Sequence, residues 1–188
     1  NSRGLVSHMS QTRAINCVFI SNGSGVFRHG GTLDAINCIM AYNTVEGSGG
    51  DPGTPNVSYS CLYNPASSNG KWSGGDGIIT GDPLLRNVEL EDFTLKVGSP
   101  CIDAGDGESA PESDYFGQPR VQDSHVSGVG TSSANGAIPD IGIHEMTENA
   151  MSEVDIAANW IKYPETVSVG EYIDVVWMGT NVGSKKIQ

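Results

Sequence analysis

Five acidic residues late in the chain, Asp103, Asp106, Asp114, Asp140 and Glu145, have types and spacing that could do chemistry. Hard cations take several carboxylate and carbonyl oxygens, so Asp103, Asp106, Asp140 and Glu145 could hold a structural calcium. The same residue type beside glycine also accepts hydrogen bonds from turn amides, and that arrangement needs no ion. Two histidines 21 positions apart, His8 and His29, could share a transition metal, but two ligands fall short of a site. They are expected to stack on an outer face. The pair Lys71-Trp72 sits in a Gly/Ser-rich loop, where an ammonium and an indole could contact a sugar; an indole there could equally cover the core. Cys17, Cys38, Cys61 and Cys101 show neither a CxxC pair nor a Cys/His zinc spacing. They are expected as buried thiols, with disulfides the alternative in an oxidising compartment. No GxSxG nucleophile motif occurs.

The elements that must position these residues are written as a repeat. Gly4–Asn22 and Gly25–Asn43 align without a gap at an offset of 21 and agree at Gly4/Gly25, His8/His29, Ala14/Ala35, Ile15/Ile36, Asn16/Asn37, Cys17/Cys38 and Asn22/Asn43. A period of that length suits one coil of a β-solenoid, a unit that buries its apolar face only against its neighbours. A looser third coil is expected at Val57–Asn64, with Cys61 extending the Cys17/Cys38 column and Ser58-Tyr59-Ser60 aligned with Ala35-Ile36-Asn37. Matching residues then lie about 4.8 Å apart, so Asn16 on Asn37 and Asn22 on Asn43 predict ladders of side-chain amides bonded to each other.

From Asn64 to Ile79 a turn-rich loop is expected, followed by a block in which the 21-residue period is lost, as where a solenoid is capped. Residues 1–145 are assigned to coils and cap, 146–153 to a linker, and 154–188 to the first strands of a β-sandwich. The chain opens inside a repeat and closes inside a strand pattern, so it is expected to be part of a larger protein.

Composition narrows the partners. Gly is 25 of 188 residues and charged residues are 17%, which favours short strands and many turns over a helical bundle. A formal charge of −12 leaves no basic stripe for nucleic acid or an anionic membrane surface. No apolar run reaches the length of a membrane span.

The ordered segments GDPLL (Gly81–Leu85), DFTLKVGSPCIDAGD (Asp92–Asp106), DYFGQPRV (Asp114–Val121) and PDIGIHE (Pro139–Glu145) carry a resemblance. Together they are similar to the C-terminal end-block of secreted bacterial right-handed parallel β-helix proteins. His144 departs from that pattern, standing where an aromatic residue is usual. Val154–Gln188 resembles the start of a bacterial cell-adhesion-related immunoglobulin-like domain. The resemblance implies an all-β chain, the last coils and cap of a right-handed parallel β-helix followed by a truncated immunoglobulin-like sandwich, in an extracellular or cell-surface bacterial protein.

Three functions compete on this basis. The leading expectation is a non-catalytic structural or adhesive module whose partners are polysaccharide, other surface proteins or copies of itself through exposed coil ends. A calcium-assisted polysaccharide lyase would instead need carboxylates and a base on one groove, and within Gly4–Asn43 the only acid is Asp34, opposite Arg13. Catalytic coils would then lie outside this chain. Glycan binding through Lys71 and Trp72 is the third. No cofactor other than a structural calcium is expected.

Overall fold

The structure, a computed structural model, describes residues 3–44, 54–64, 75–120, 130–131 and 138–146, and the backbone of two further strands at 156–162 and 176–181. The chain divides into two compact units, Asn1–Met146 and Thr147–Gln188. The division falls at the start of the segment read as a linker.

In the first unit the repeat becomes two parallel sheets. Strands β1 (Arg3–Ile15), β3 (Ser24–Ile36) and β5 (Asn56–Ser58) form one; β2 (Val18–Ile20), β4 (Ile39–Ala41) and β6 (Cys61–Tyr63) form the other. Leu5 lies beside Val26, His8 beside His29 and Val18 beside Ile39, all at the offset of 21 read from the repeat. Each 21-residue turn of chain is therefore one rung stacked on the next.

The corners between the sheets have one local cause. Asn16, Asn37 and Tyr59 occupy corresponding positions with φ of 50°, 56° and 44°. Asn is the non-glycine residue that tolerates this left-handed region best. The next residue then satisfies the corner: the Cys17 thiol donates to Ile15 O at 3.3 Å, the Cys38 thiol to Ile36 O at 3.2 Å, and the Ser60 hydroxyl to Ser58 O at 2.7 Å.

That series corrects the expected column of three thiols. Between the second and third rungs the offset is 22, so Ala35 pairs with Val57 and Ile39 with Cys61. Ser60 occupies the third corner, where its Oγ accepts the Cys38 N–H at 3.0 Å. The physical reason is side-chain alternation: a one-residue slip would replace buried Val57 in the core row of Ala14 and Ala35 with Ser58. Apolar burial outweighs the match of cysteine to cysteine.

The amide ladders divide in the same way. Asn37 Nδ2 donates to Asn16 Oδ1 at 3.2 Å, a bond between side-chain amides as expected. The other column works differently: Asn22 N–H donates to Asn43 Oδ1 at 2.9 Å, and Asn43 N–H to Asn64 Oδ1 at 2.7 Å. Each side chain caps the backbone of the rung before it, and Asn64 is a third member.

The core between the sheets holds Ala14, Val26, Leu33, Ala35, Cys38, Met40, Val57 and Leu62, with Leu5, Cys17, Phe19 and Ile78 packed against it. Part of the segment read as a loop lies along the third rung, with Tyr59 N–H donating to Asp76 O at 2.7 Å and Leu62 N–H to Ile79 O at 2.8 Å. An antiparallel pair, β7 (Leu85–Asn87) with β8 (Asp92–Leu95), follows.

The second unit holds β9 (Ile156–Lys162) and β10 (Val176–Asn181), an antiparallel pair with a register shift between Met178 and Gly179. The described chain is thus all-β, with parallel sheets in the first unit and an antiparallel pair in the second.

Asn37 is wholly buried, and its amide spans three bonds: to Asn16 Oδ1, to Asp106 O at 2.9 Å, and from Asp106 N–H at 2.6 Å. Substitution Asn37→Ala removes these bonds and places alanine at a positive φ. It is expected to cost about 3 kcal/mol in urea denaturation, against about 1 kcal/mol for Asn22→Ala.

Candidate functional site

The four segments of the end-block turn out to be one another's hydrogen-bond partners. Ser99 of GSPC donates its hydroxyl to Pro83 O of GDPLL at 2.7 Å and accepts the Cys101 N–H at 3.1 Å. Asp140 of PDIGIHE accepts the Asp103 N–H at 2.8 Å on Oδ1 and the Met146 N–H at 2.6 Å on Oδ2. Asp114 accepts the N–H groups of Phe116 and Gln118 on Oδ1, both at 2.8 Å, and of Glu145 on Oδ2 at 3.0 Å.

At the centre is Arg120, a residue the sequence reading did not single out. Its side chain is 3% exposed; Nη1 pairs with Glu145 Oε2 at 2.8 Å, and Glu145 is 1% exposed. The guanidinium also donates to Asp140 O at 3.3 Å and Gly142 O at 2.9 Å. Those same two carbonyls accept Asn16 Nδ2 from the first rung at 2.9 and 3.0 Å. Gly142 has φ of 99°, donates its N–H to Asn37 O at 2.8 Å, and leaves no room for a side chain beside Ile39. The end-block is fastened to the stack at its Asn corners.

The expected calcium set is accordingly used for something else. Among the described residues no group of three or more His, Cys, Asp or Glu side chains is placed to hold a metal ion. Asp140 and Glu145 face backbone N–H groups and Arg120, as above, so the cation at this place is a guanidinium. Asp106 lies apart, accepting the Thr131 hydroxyl at 2.7 Å. Burial works against its charge, but Ser109, Thr131 and the Glu108 and Ser109 N–H groups hold its carboxyl below the usual range.

One guanidinium cannot neutralise two buried carboxylates. Burial first, and the Asp140 charge second, raise Glu145 to about 8, against the opposing pull of the Asp140 N–H and Arg120. His144 is lowered, chiefly by burial, and its ring meets Phe116 edge-on with centroids 6.0 Å apart.

The remaining candidates separate clearly. His8 and His29 are exposed and stacked, with centroids 4.9 Å apart and planes at 17°. Near them Arg3 lies over the Phe27 ring at 3.8 Å. Asp34, the one acid of the first two rungs, accepts Asn56 Nδ2 at 2.8 Å. The four cysteines are thiols. The Cys17 thiol is lowered to about 6, first by its hydrogen bond with Cys38, whose own thiol that bond and burial raise. Lys71 and Trp72 lie outside the described residues.

A second feature had no signal beyond the dipeptide Tyr115-Phe116. Leu90, Tyr115 and Phe116, exposed at 78%, 78% and 53%, are three of the five large exposed apolar side chains among the described residues. With Phe93 and Ile143 they line a cavity of about 520 Å³, whose rim carries Glu91 and Asp92. The two rings stand edge to face, 5.3 Å between centroids. No protein-family model, curated protein or solved structure matches this chain.

The Glu145 carboxyl makes stability depend on pH with a defined sign. A folded value above the unfolded one means that the stabilisation is complete below about 4.5 and lost as pH rises through about 8. Cys17, lowered to about 6, also titrates in this range and cancels in the comparison with Glu145→Gln. The wild-type urea midpoint minus that of Glu145→Gln is expected to fall between pH 4.5 and 8 and to level off above 9. A difference that is flat across this range contradicts the assignment.

Proposed function

We propose that this chain is a non-catalytic structural module: the last coils and cap of a right-handed parallel β-helix followed by the start of an immunoglobulin-like domain. In this reading it belongs to a secreted or cell-surface bacterial protein and serves as a rigid spacer or adhesive element. The observation that supports it is the commitment of the end-block carboxylates. Asp140, Glu145 and Asp114 each hold backbone N–H groups, and Glu145 also holds Arg120, so none is free to take part in acid, base or metal chemistry without dismantling the cap. Among the described residues the stacked histidines and the Asp34–Asn56 contact likewise make no groove of acids and bases.

A second reading has its own support. Adjacent exposed aromatic rings give apolar faces for the C–H groups of a sugar, and Glu91 and Asp92 give acceptors for its hydroxyls. Non-catalytic glycan binding is then assigned to the Tyr115–Phe116 cavity, as a second candidate besides Lys71 and Trp72.

The test is incubation of the full chain with acidic and neutral polysaccharides, with calcium and with chelator. New chain ends and retention on the polymer are both measured. The structural reading expects no new ends and a thermal midpoint indifferent to chelator. New ends that disappear with chelator contradict it in favour of a calcium-assisted lyase. Retention that is lost in Tyr115→Ala/Phe116→Ala supports the glycan reading. Those exposed positions are expected to change stability by less than about 0.5 kcal/mol.

A further inference from the structure

Two turns of the end-block build the cavity at Tyr115 and Phe116. The first, residues 88–91, joins β7 to β8; the Glu91 N–H donates to Val88 O at 3.3 Å and the Leu90 N–H to Asn87 Oδ1 at 3.2 Å. It supplies Leu90 and Glu91, and β8 continues with Asp92 and Phe93. The second turn, residues 114–118, is closed by the Asp114 N–H on Gln118 O at 2.8 Å and the Gly117 N–H on Asp114 O at 3.1 Å. Gly117 takes a φ of 81°, and the Tyr115 N–H bonds Ile143 O at 2.9 Å. The two exposed rings are therefore held out by a turn whose backbone is fixed on several sides.

Shape and charge then select the ligand. The Tyr115 and Phe116 planes stand at 90°, so their faces make a corner, and a cation in such a corner is attracted by the electron-rich ring faces. Glu89, Glu91 and Asp92 follow one another closely in the first turn, with Arg86 as the cation near Asp92. The Thr94 hydroxyl, against burial and with help from the Thr94 N–H and Arg86, holds the Asp92 carboxyl below the usual range, so it stays ionised. Both Thr94 bonds fall on Asp92 Oδ1, at 2.6 and 3.2 Å, which leaves Oδ2 for a ligand. His144, lowered chiefly by burial, is neutral at pH 7 and adds no cation beside Phe116. The walls are apolar and the rim is negative, in a chain of formal charge −12. An anionic sugar is repelled there, a neutral one leaves the charge unused, and a cationic one uses both.

We propose, building on the reading of this cavity as a glycan site, that its ligand is a cationic amino sugar, a glycan unit bearing a free ammonium group. The ammonium lies in the corner of the Tyr115 and Phe116 rings and donates to the Glu91 and Asp92 carboxylates. The C–H face of the same sugar rests on an aromatic ring, with Leu90, Phe93 and Ile143 completing the apolar wall. A volume of about 520 Å³ is within the ordinary range for a small organic ligand.

The test is calorimetric titration of the full chain with two glucosamine tetramers, one with free amines and one fully N-acetylated and so neutral. The free-amine tetramer is expected to bind about tenfold more tightly, with an affinity that falls as salt rises. Glu91→Gln/Asp92→Asn is expected to bring it down to the level of the N-acetylated tetramer, whose own binding is unchanged. Tyr115→Ala/Phe116→Ala is expected to abolish the binding of both. Equal wild-type affinities for the two tetramers leave the glycan reading standing and overturn the cationic class. No binding of either tetramer removes the glycan reading as well. Tetralysine carries ammonium groups without a sugar face and is expected to bind more weakly than the free-amine tetramer; equal binding contradicts the assignment to a sugar. Free-amine binding that survives Tyr115→Ala/Phe116→Ala also overturns the proposal, because it then follows the charge of the whole chain and not the cavity.

Discussion

The rest of the first unit depends on what a buried asparagine does at a left-handed corner. A parallel rung must turn without leaving its N–H and C=O groups unpaired, and the turn needs a positive φ. Asn16 and Asn37 meet the second requirement at low strain; their N–H groups donate to Ile36 O and Ser58 O of the next rung at 3.0 and 3.4 Å, and their side-chain amides bond to each other. Their side chains do not stop at the ladder. Asn16 reaches Asp140 O and Gly142 O, and Asn37 both donates to and accepts from Asp106. The corner residues of the stack are therefore also the sockets of the end-block.

Charge enters where those sockets are closed from the far side. Asp140 O and Gly142 O receive Asn16 from the stack and Arg120 from the end-block, so four buried hydrogen bonds from three nitrogens meet two carbonyls. Burying a guanidinium is costly unless it is paired and hydrogen-bonded; Nη1 and Nη2 of Arg120 are bonded, whereas its buried Nε has no partner. Glu145 supplies the opposite charge, and Asp140 aligns it through its N–H at 3.1 Å. Removing one member leaves another buried and unpaired, which makes this cluster a specifier of one arrangement. It also explains why carboxylates that look like metal ligands in the sequence are occupied.

Much of the architecture was legible because identical residues stack on identical residues at a constant offset. His8 over His29 and Asn16 over Asn37 could be read directly. The third rung was misread by one position because Cys61 matched the earlier cysteines by type. The deciding quantity was burial, with Val57 required in the apolar row and Ser60 able to make the same corner bond as a thiol. The role of Arg120 was invisible, since a lone arginine in GQPR gives no hint that its partners lie 20 to 25 residues on. The same holds for the cavity at Tyr115 and Phe116. Each is created by the folding of the end-block on itself, which follows no period.

The central claim is that rungs and end-block form one cooperative unit because the Asn corners join them. Native-state hydrogen exchange measured against low concentrations of urea tests it most directly, comparing the Ile39 N–H, which bonds Cys17 O within the stack, with the Gly142 N–H, which bonds Asn37 O from the end-block. The account predicts that both exchange through a single opening, with equal free energies and equal urea slopes. Exchange of Gly142 through a smaller, separate opening while Ile39 stays protected would contradict it.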